Sequence, residues 1–201
     1  VQAAAKIGTS SSMSLAQGDN NKITYHLPAM GGLTAGVSHY DSGETGATDA
    51  TSMGAKYSLT AAGAAITLSY ATSTTDNATQ DIDSSTMGMK VVSGDISMLI
   101  SQGAYEADGA DYDNMGASIS YKMSDVMTIG AYTFDSENDK SAGEEYSRSG
   151  AEVQYTIASG LTAVLNVDDY DYKKGANTTT VNDSGTNSKL PCALSFCRAH
   201  D

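Results

Sequence analysis

Residues 53–70 read Met-Gly-Ala-Lys-Tyr-Ser-Leu-Thr-Ala-Ala-Gly-Ala-Ala-Ile-Thr-Leu-Ser-Tyr. Every second residue before Gly63 is apolar or small (Met53, Ala55, Tyr57, Leu59), and Gly54, Lys56 and Ser58 fall between them. After Gly63 the pattern resumes, with Ala64, Ile66, Leu68 and Tyr70 on one phase and Ala65, Thr67, Ser69 and Ala71 on the other. A period of two belongs to β-strands, whose side chains point alternately to opposite faces. Small residues around Gly63 supply the tight turn between them. The stretch is a β-hairpin with one apolar and one polar face.

The unit repeats. Tight small-residue turns centre on Gly31, Gly63, Gly94, Asp125 and Gly160, at intervals of 32, 31, 31 and 35 residues. Between them lie longer connections rich in Asp, Gly, Ser and Thr. The pattern predicts ten strands, at 22–27, 33–40, 52–60, 64–72, 86–92, 96–104, 113–123, 127–136, 147–157 and 161–171. An eleventh begins near Thr186, and residues 7–16 hold part of another. The fold expected is all-β, an antiparallel meander of hairpins. Strands of roughly 9–11 residues with alternating polarity are what a tilted strand needs to cross a bilayer, whereas soluble strands average about 5–6. Short turns on one side and long loops on the other complete the pattern of a transmembrane β-barrel, of which about 10 to 12 strands are present.

Composition agrees. No run approaches the 18 or so apolar residues of a spanning helix. The only prolines are Pro28 and Pro191, so the ladders are nearly free of residues that cannot donate to them. Net charge is −13, and 19 of the 24 acidic residues fall in or at the edges of the five long connections. A nucleic-acid partner is excluded, because a phosphate backbone needs a basic face. The alternative function for such a pattern is a secreted or cell-surface structural β-protein, an adhesin or surface-layer module, since a soluble sheet with one wet face also alternates.

The chain starts at Val1 with no leader-like segment, which suggests that it begins inside a longer protein. Residues 1–190 read as one partial barrel domain. Residues 191–201 break the alternation and read as a tail from a shifted frame or a cloning junction. Both cysteines, Cys192 and Cys197, lie in that tail. They admit a disulfide but read more simply as part of it.

Candidate functional residues follow from phase. Lys56, Lys90 and Lys122 share the polar phase of their strands shortly before a short turn, and Glu152 and Gln154 occupy the same phase of theirs. All five are expected to line a watery lumen. Tyr57, Tyr121 and Tyr155 lie on the apolar phase near short turns, where an interfacial aromatic girdle would sit. Glu106, Asp108, Asp111 and Asp113 form a weak Ca²⁺ candidate, since hard cations take several carboxylate oxygens but the spacing of a calcium loop is missing. His26, His39 and His200 are too scattered to bind a metal together. No nucleophile–base–acid set, phosphate loop or cofactor motif occurs, so the sequence predicts no enzyme and no cofactor beyond that Ca²⁺ candidate.

The segment Gly18-Asp-Asn-Asn-Lys-Ile-Thr-Tyr-His-Leu-Pro-Ala-Met-Gly-Gly-Leu-Thr-Ala-Gly-Val-Ser-His-Tyr40 resembles a hairpin phrase of Gram-negative general-diffusion porins, in particular an alphaproteobacterial, Rhodobacter-like group. Met53-Gly-Ala-Lys-Tyr57 and Gly150-Ala-Glu-Val-Gln-Tyr-Thr-Ile-Ala-Ser-Gly-Leu-Thr162 resemble further phrases of the same proteins, over about residues 18–190. The resemblance implies a C-terminal part of a 16-stranded barrel, assembled as a homotrimer in the cell outer membrane. Contacts with lipid and lipopolysaccharide are implied with it, as is passive diffusion of small hydrophilic solutes and ions through the channel. Such porins close on a strand ending in an aromatic residue, and Pro191–Asp201 departs from that pattern.

Overall fold

The computed structural model describes residues 22–41, 49–76, 81–107, 110–139, 144–173, 183–189 and 192–194. They form β1 (Lys22–His26), β2 (Leu33–Tyr40), β3 (Asp49–Ala61), β4 (Ala64–Asp76), β5 (Asp81–Ser93), β6 (Ile96–Ala107), β7 (Ala110–Lys122), β8 (Met127–Asn138), β9 (Glu144–Ala158), β10 (Leu161–Lys173), β11 (Asp183–Lys189) and β12 (Cys192–Leu194). From β1 to β11 each strand pairs antiparallel with its neighbour in sequence. The ten strands expected from β1 to β10 are all present, and Thr186 lies inside β11. Residues 7–16 lie outside the described residues.

Two strands share the far side of β10. The ladder runs Asn166↔Lys189 to Tyr172↔Asp183 for β11 and Leu161↔Leu194 to Ala163↔Cys192 for β12, in one common register. Cys192–Leu194 of the expected tail therefore lies beside β10, while Cys197 and His200 fall outside the described residues. Neither β1 nor β11 pairs with the other, so the described sheet is open.

The turns sit where the small residues put them. Ala62 (φ 50°) and Gly63 (φ 78°) both hold positive φ, as a two-residue type I′ turn requires, and Ala62 alone among the described non-glycine residues does so. The β9–β10 turn instead carries a register shift at Leu161/Thr162 beside Gly160 (φ 77°), a bulged hairpin.

Strand length departs from expectation. β3 to β10 run 12 to 15 residues, each longer than expected, and most of the growth is at the acidic ends. Asp is a poor strand former in isolation, but once the middle of a hairpin is zipped, each added pair costs little and satisfies two backbone groups. At about 3.3 Å per residue and a tilt near 45°, 13 residues rise roughly 30 Å, more than the apolar band of about 25 Å that lipid demands. The carboxylates occupy the overshoot.

Burial is inverted relative to a soluble domain. The buried residues are Tyr40, Ser84, Ala107, Tyr132, Asn138, Glu152, Asn166 and Asp168. Cross-strand registers put all eight on the polar phase of the sheet. The large apolar side chains of the other phase, among them Met53, Leu68, Met89, Met98, Ile100, Ile119 and Leu165, are exposed. In water that arrangement is untenable, because each such side chain gives up about 1.5–3 kcal/mol of burial. Against hydrocarbon nothing is lost.

Candidate functional site

The polar phase is the inner face, and its residues are the candidate site. Lys56 sits opposite Thr34 and Ser69, Lys90 opposite Thr67 and Leu99, and Lys122 opposite Thr128, so the three lysines share one face of the sheet. Lys22 joins them from β1. Glu152 pairs with Gly130 and Asn166, and Gln154 with Thr128 and Val164, again on the inner face. Glu152 is buried at 6% exposure, whereas Lys22, Lys56, Lys90 and Lys122 are exposed. Lys122 Nζ also holds Asp125 of the next turn at 2.7 Å. Donation by the ammonium keeps the Asp125 carboxyl below its ordinary pKa.

A second cluster was invisible in the sequence. Arg148 on β9 donates Nε–H and Nη2–H to the two carboxylate oxygens of Asp168 on β10, at 3.0 and 2.8 Å. They are diagonal neighbours, since Arg148 is registered to Tyr170 and Asp168 to Gly150. The guanidinium carbon lies 5.7 Å from the centre of the Tyr132 ring, a cation–π contact. Tyr132, on β8, reaches over β9 to Asn166 on β10, donating Oη–H to Oδ1 at 3.4 Å while Asn166 Nδ2–H donates back at 3.3 Å. Two strands span roughly 9.6 Å, so the ring needs an empty position between them. Gly150 provides it: a Cβ there would lie 2.8 Å from Tyr132 Cζ, Tyr132 Oη and Asp168 Cβ.

Tyr57, Tyr121 and Tyr155 stand on the outer face toward the short turns, half exposed. His26 is on the inner face and His39, hydrogen-bonded to Thr51 at 2.8 Å, on the outer, so the two do not converge.

Most of the described acidic residues take the outer face of the projecting strand ends. Registers align them in three cross-strand rows: Asp49–Asp76–Asp81, Asp83–Glu106–Asp111 and Asp113–Glu137–Glu145. Lys173 closes the last row, 2.8 Å from Glu145 Oε2. Facing like charges oppose pairing by a few tenths to about 1 kcal/mol each, tolerable only where water screens them. These carboxylates thus stand on the outer side of the wall. Asp168, one of the carboxylates at the edge of a long connection, is instead held on the inner face by its pairing with Arg148. Of the Ca²⁺ candidates, Glu106, Asp111 and Asp113 lie in these rows and Asp108 lies outside the described residues. Among the described residues no three His, Cys, Asp or Glu side chains converge on a metal position.

The sequence pattern of the Gram-negative porin family matches residues 2–176. The chain belongs to that family. A Gram-negative porin is a protein of the outer membrane, which accounts for the inverted burial. Similar solved structures include a porin refined at 1.8 Å (19% identity, 87% of this chain and 63% of that one, TM-score 0.60). The anion-selective porin from Comamonas acidovorans is another (17%, 88% and 56%, TM-score 0.58). So is OmpT of Vibrio cholerae in its trimer form (13%, 84% and 62%, TM-score 0.57). At these identities the likeness is one of fold. This porin chain spans less than two thirds of the length of each. No curated protein sequence matches it significantly.

Proposed function

We propose that this porin forms a water-filled channel in the outer membrane, through which small hydrophilic solutes and ions diffuse passively, with no chemical step. The observation that carries the reading is the burial inversion: buried polar side chains on the inner face, exposed Met, Ile, Leu and Tyr on the outer. A watery interior and a lipid exterior satisfy both at once. Lipid offers no hydrogen bonds to the edges at β1 and β11, so channel formation requires them to be closed. The porin assembles as a homotrimer, as the trimer form of OmpT does, and its Tyr57, Tyr121 and Tyr155 sit among lipid headgroups. Lipopolysaccharide meets the outward carboxylate rows.

The test is reconstitution of the full chain into liposomes, followed by swelling in sugars of increasing size. Uptake that falls off with solute radius supports a channel. A folded monomer that stays soluble without detergent and admits no solute would return the chain to the secreted β-protein class.

A further inference from the structure

The net charge of −13 suggests a cation-attracting protein, but the two faces of the wall carry opposite balances. From β1 to β10 the inner face holds five basic side chains, Lys22, Lys56, Lys90, Lys122 and Arg148. It holds three acidic ones, Glu144, Glu152 and Asp168, all on β9 and β10. From β1 to β8 the inner face carries no carboxylate among the described residues.

Accessibility sharpens the contrast. Glu152 and Asp168 are buried, at 6% and 5% exposure, and Asp168 is neutralised by Arg148. The four lysines are exposed, and of them Lys122 is paired with the turn residue Asp125. An open groove of about 770 Å³ lies along β1 to β4 over Gly36 and Gly54, with Lys22, His26 and Lys56 on its walls and no acid among its lining residues.

We infer that this wall selects anions, against the sign of the chain's net charge, and that the inner-face lysines are its specificity-determining residues. The inference rests on the channel reading above. A permeating ion meets Lys56 and Lys90 on its own side of the wall, through the water of the lumen. The carboxylate rows act from the far side of a sheet, through water in which fields decay over about 8–10 Å at physiological ionic strength. A low-dielectric wall confines the inner field and leaves the outer one to be screened. The matching solute is a small hydrophilic anion, a carboxylate or phosphate as readily as chloride, since the groove presents ammonium and hydroxyl donors from Thr24, Thr34, Ser38 and Ser52 and no rigid geometry.

The experiment is the reversal potential of the full chain in planar bilayers under a KCl gradient. It is repeated with Lys56→Glu/Lys90→Glu and with Asp81→Lys/Asp113→Lys. The unmodified protein is expected to reverse on the chloride side. The inner pair of substitutions turns five bases and three acids into three bases and five acids, so the potential is expected to change sign. The outer pair alters charge by the same amount and is expected to leave it in place. Circular dichroism of each variant confirms the sheet. Conductance with a potassium-side reversal, or an equal shift from the outer pair, overturns the inference while the channel reading stands. Absence of any conductance overturns both.

Discussion

Arg148 and Asp168, twenty residues apart and on adjacent strands, form a two-pronged ion pair at 3.0 and 2.8 Å whose acid is almost wholly buried. Tyr132 lies over the guanidinium and hydrogen-bonds Asn166, so the pair belongs to a four-residue cluster on the inner face.

Arg148→Ala leaves Asp168 buried without its cation. Losing one partner of a buried pair costs about 3–5 kcal/mol, and because Arg148 keeps some contact with water the lower end applies here, about 3 kcal/mol. Arg148→Ala/Asp168→Ala removes both charges and is expected to lose less than the single change. Urea unfolding midpoints of the reconstituted protein measure both, and a double variant no more stable than Arg148→Ala alone would contradict the pairing.

Gly150→Ala puts a methyl group within 2.8 Å of the Tyr132 ring and the Asp168 side chain. The ring must swing into the lumen, breaking its bonds to Asn166 at an expected cost of about 1–3 kcal/mol. Tyr132→Ala in the same background should recover part of that loss, since the methyl group then has room.

Face assignment predicts opposite outcomes at adjacent residues. Ile100 is exposed on the outer face and Ser101 faces inward beside Gly88 and Gly116. Ile100→Arg is expected to destabilise the bilayer-inserted protein by about 2–4 kcal/mol, as arginine does near the midplane, and Ser101→Arg by under about 1 kcal/mol. Equal losses would mean that the phases have been interchanged or that neither face meets lipid.

Lys122 and Asp125 give a pH signature. The folded carboxyl of Asp125 lies below its ordinary value because Lys122 donates to it, so the contact contributes above the ordinary carboxylate range and fades as pH falls through the lowered folded value. Both groups are well exposed, so the effect on global stability is small. The readout is therefore the carboxyl ¹³C titration of Asp125. Its midpoint is expected below that of an isolated aspartate, and Lys122→Met is expected to return it there.

Much of this molecule was legible as sequence. The period of two at Met53–Tyr70 gave the hairpin and its two faces, and Gly31, Gly63, Gly94 and Gly160 marked turns because positive φ selects glycine there. Phase alone placed Lys56, Lys90, Lys122, Glu152 and Gln154 on one side and Tyr57, Tyr121 and Tyr155 on the other. Local chemistry sufficed, because alternation and turns act over a few residues. It did not fix where strands stop, because the ends of β3 to β10 are set by cross-strand hydrogen bonds that override the weak strand propensity of Asp. Nor could it pair Arg148 with Asp168, or lay Tyr132 across Gly150 to Asn166. Those contacts depend on the register of β8, β9 and β10, which only the assembled ladder fixes. The same register set nine carboxylates on the outer face of the strand ends in rows of three and left the lysines inside. Composition counts charges, but only tertiary structure assigns each to a side of the wall.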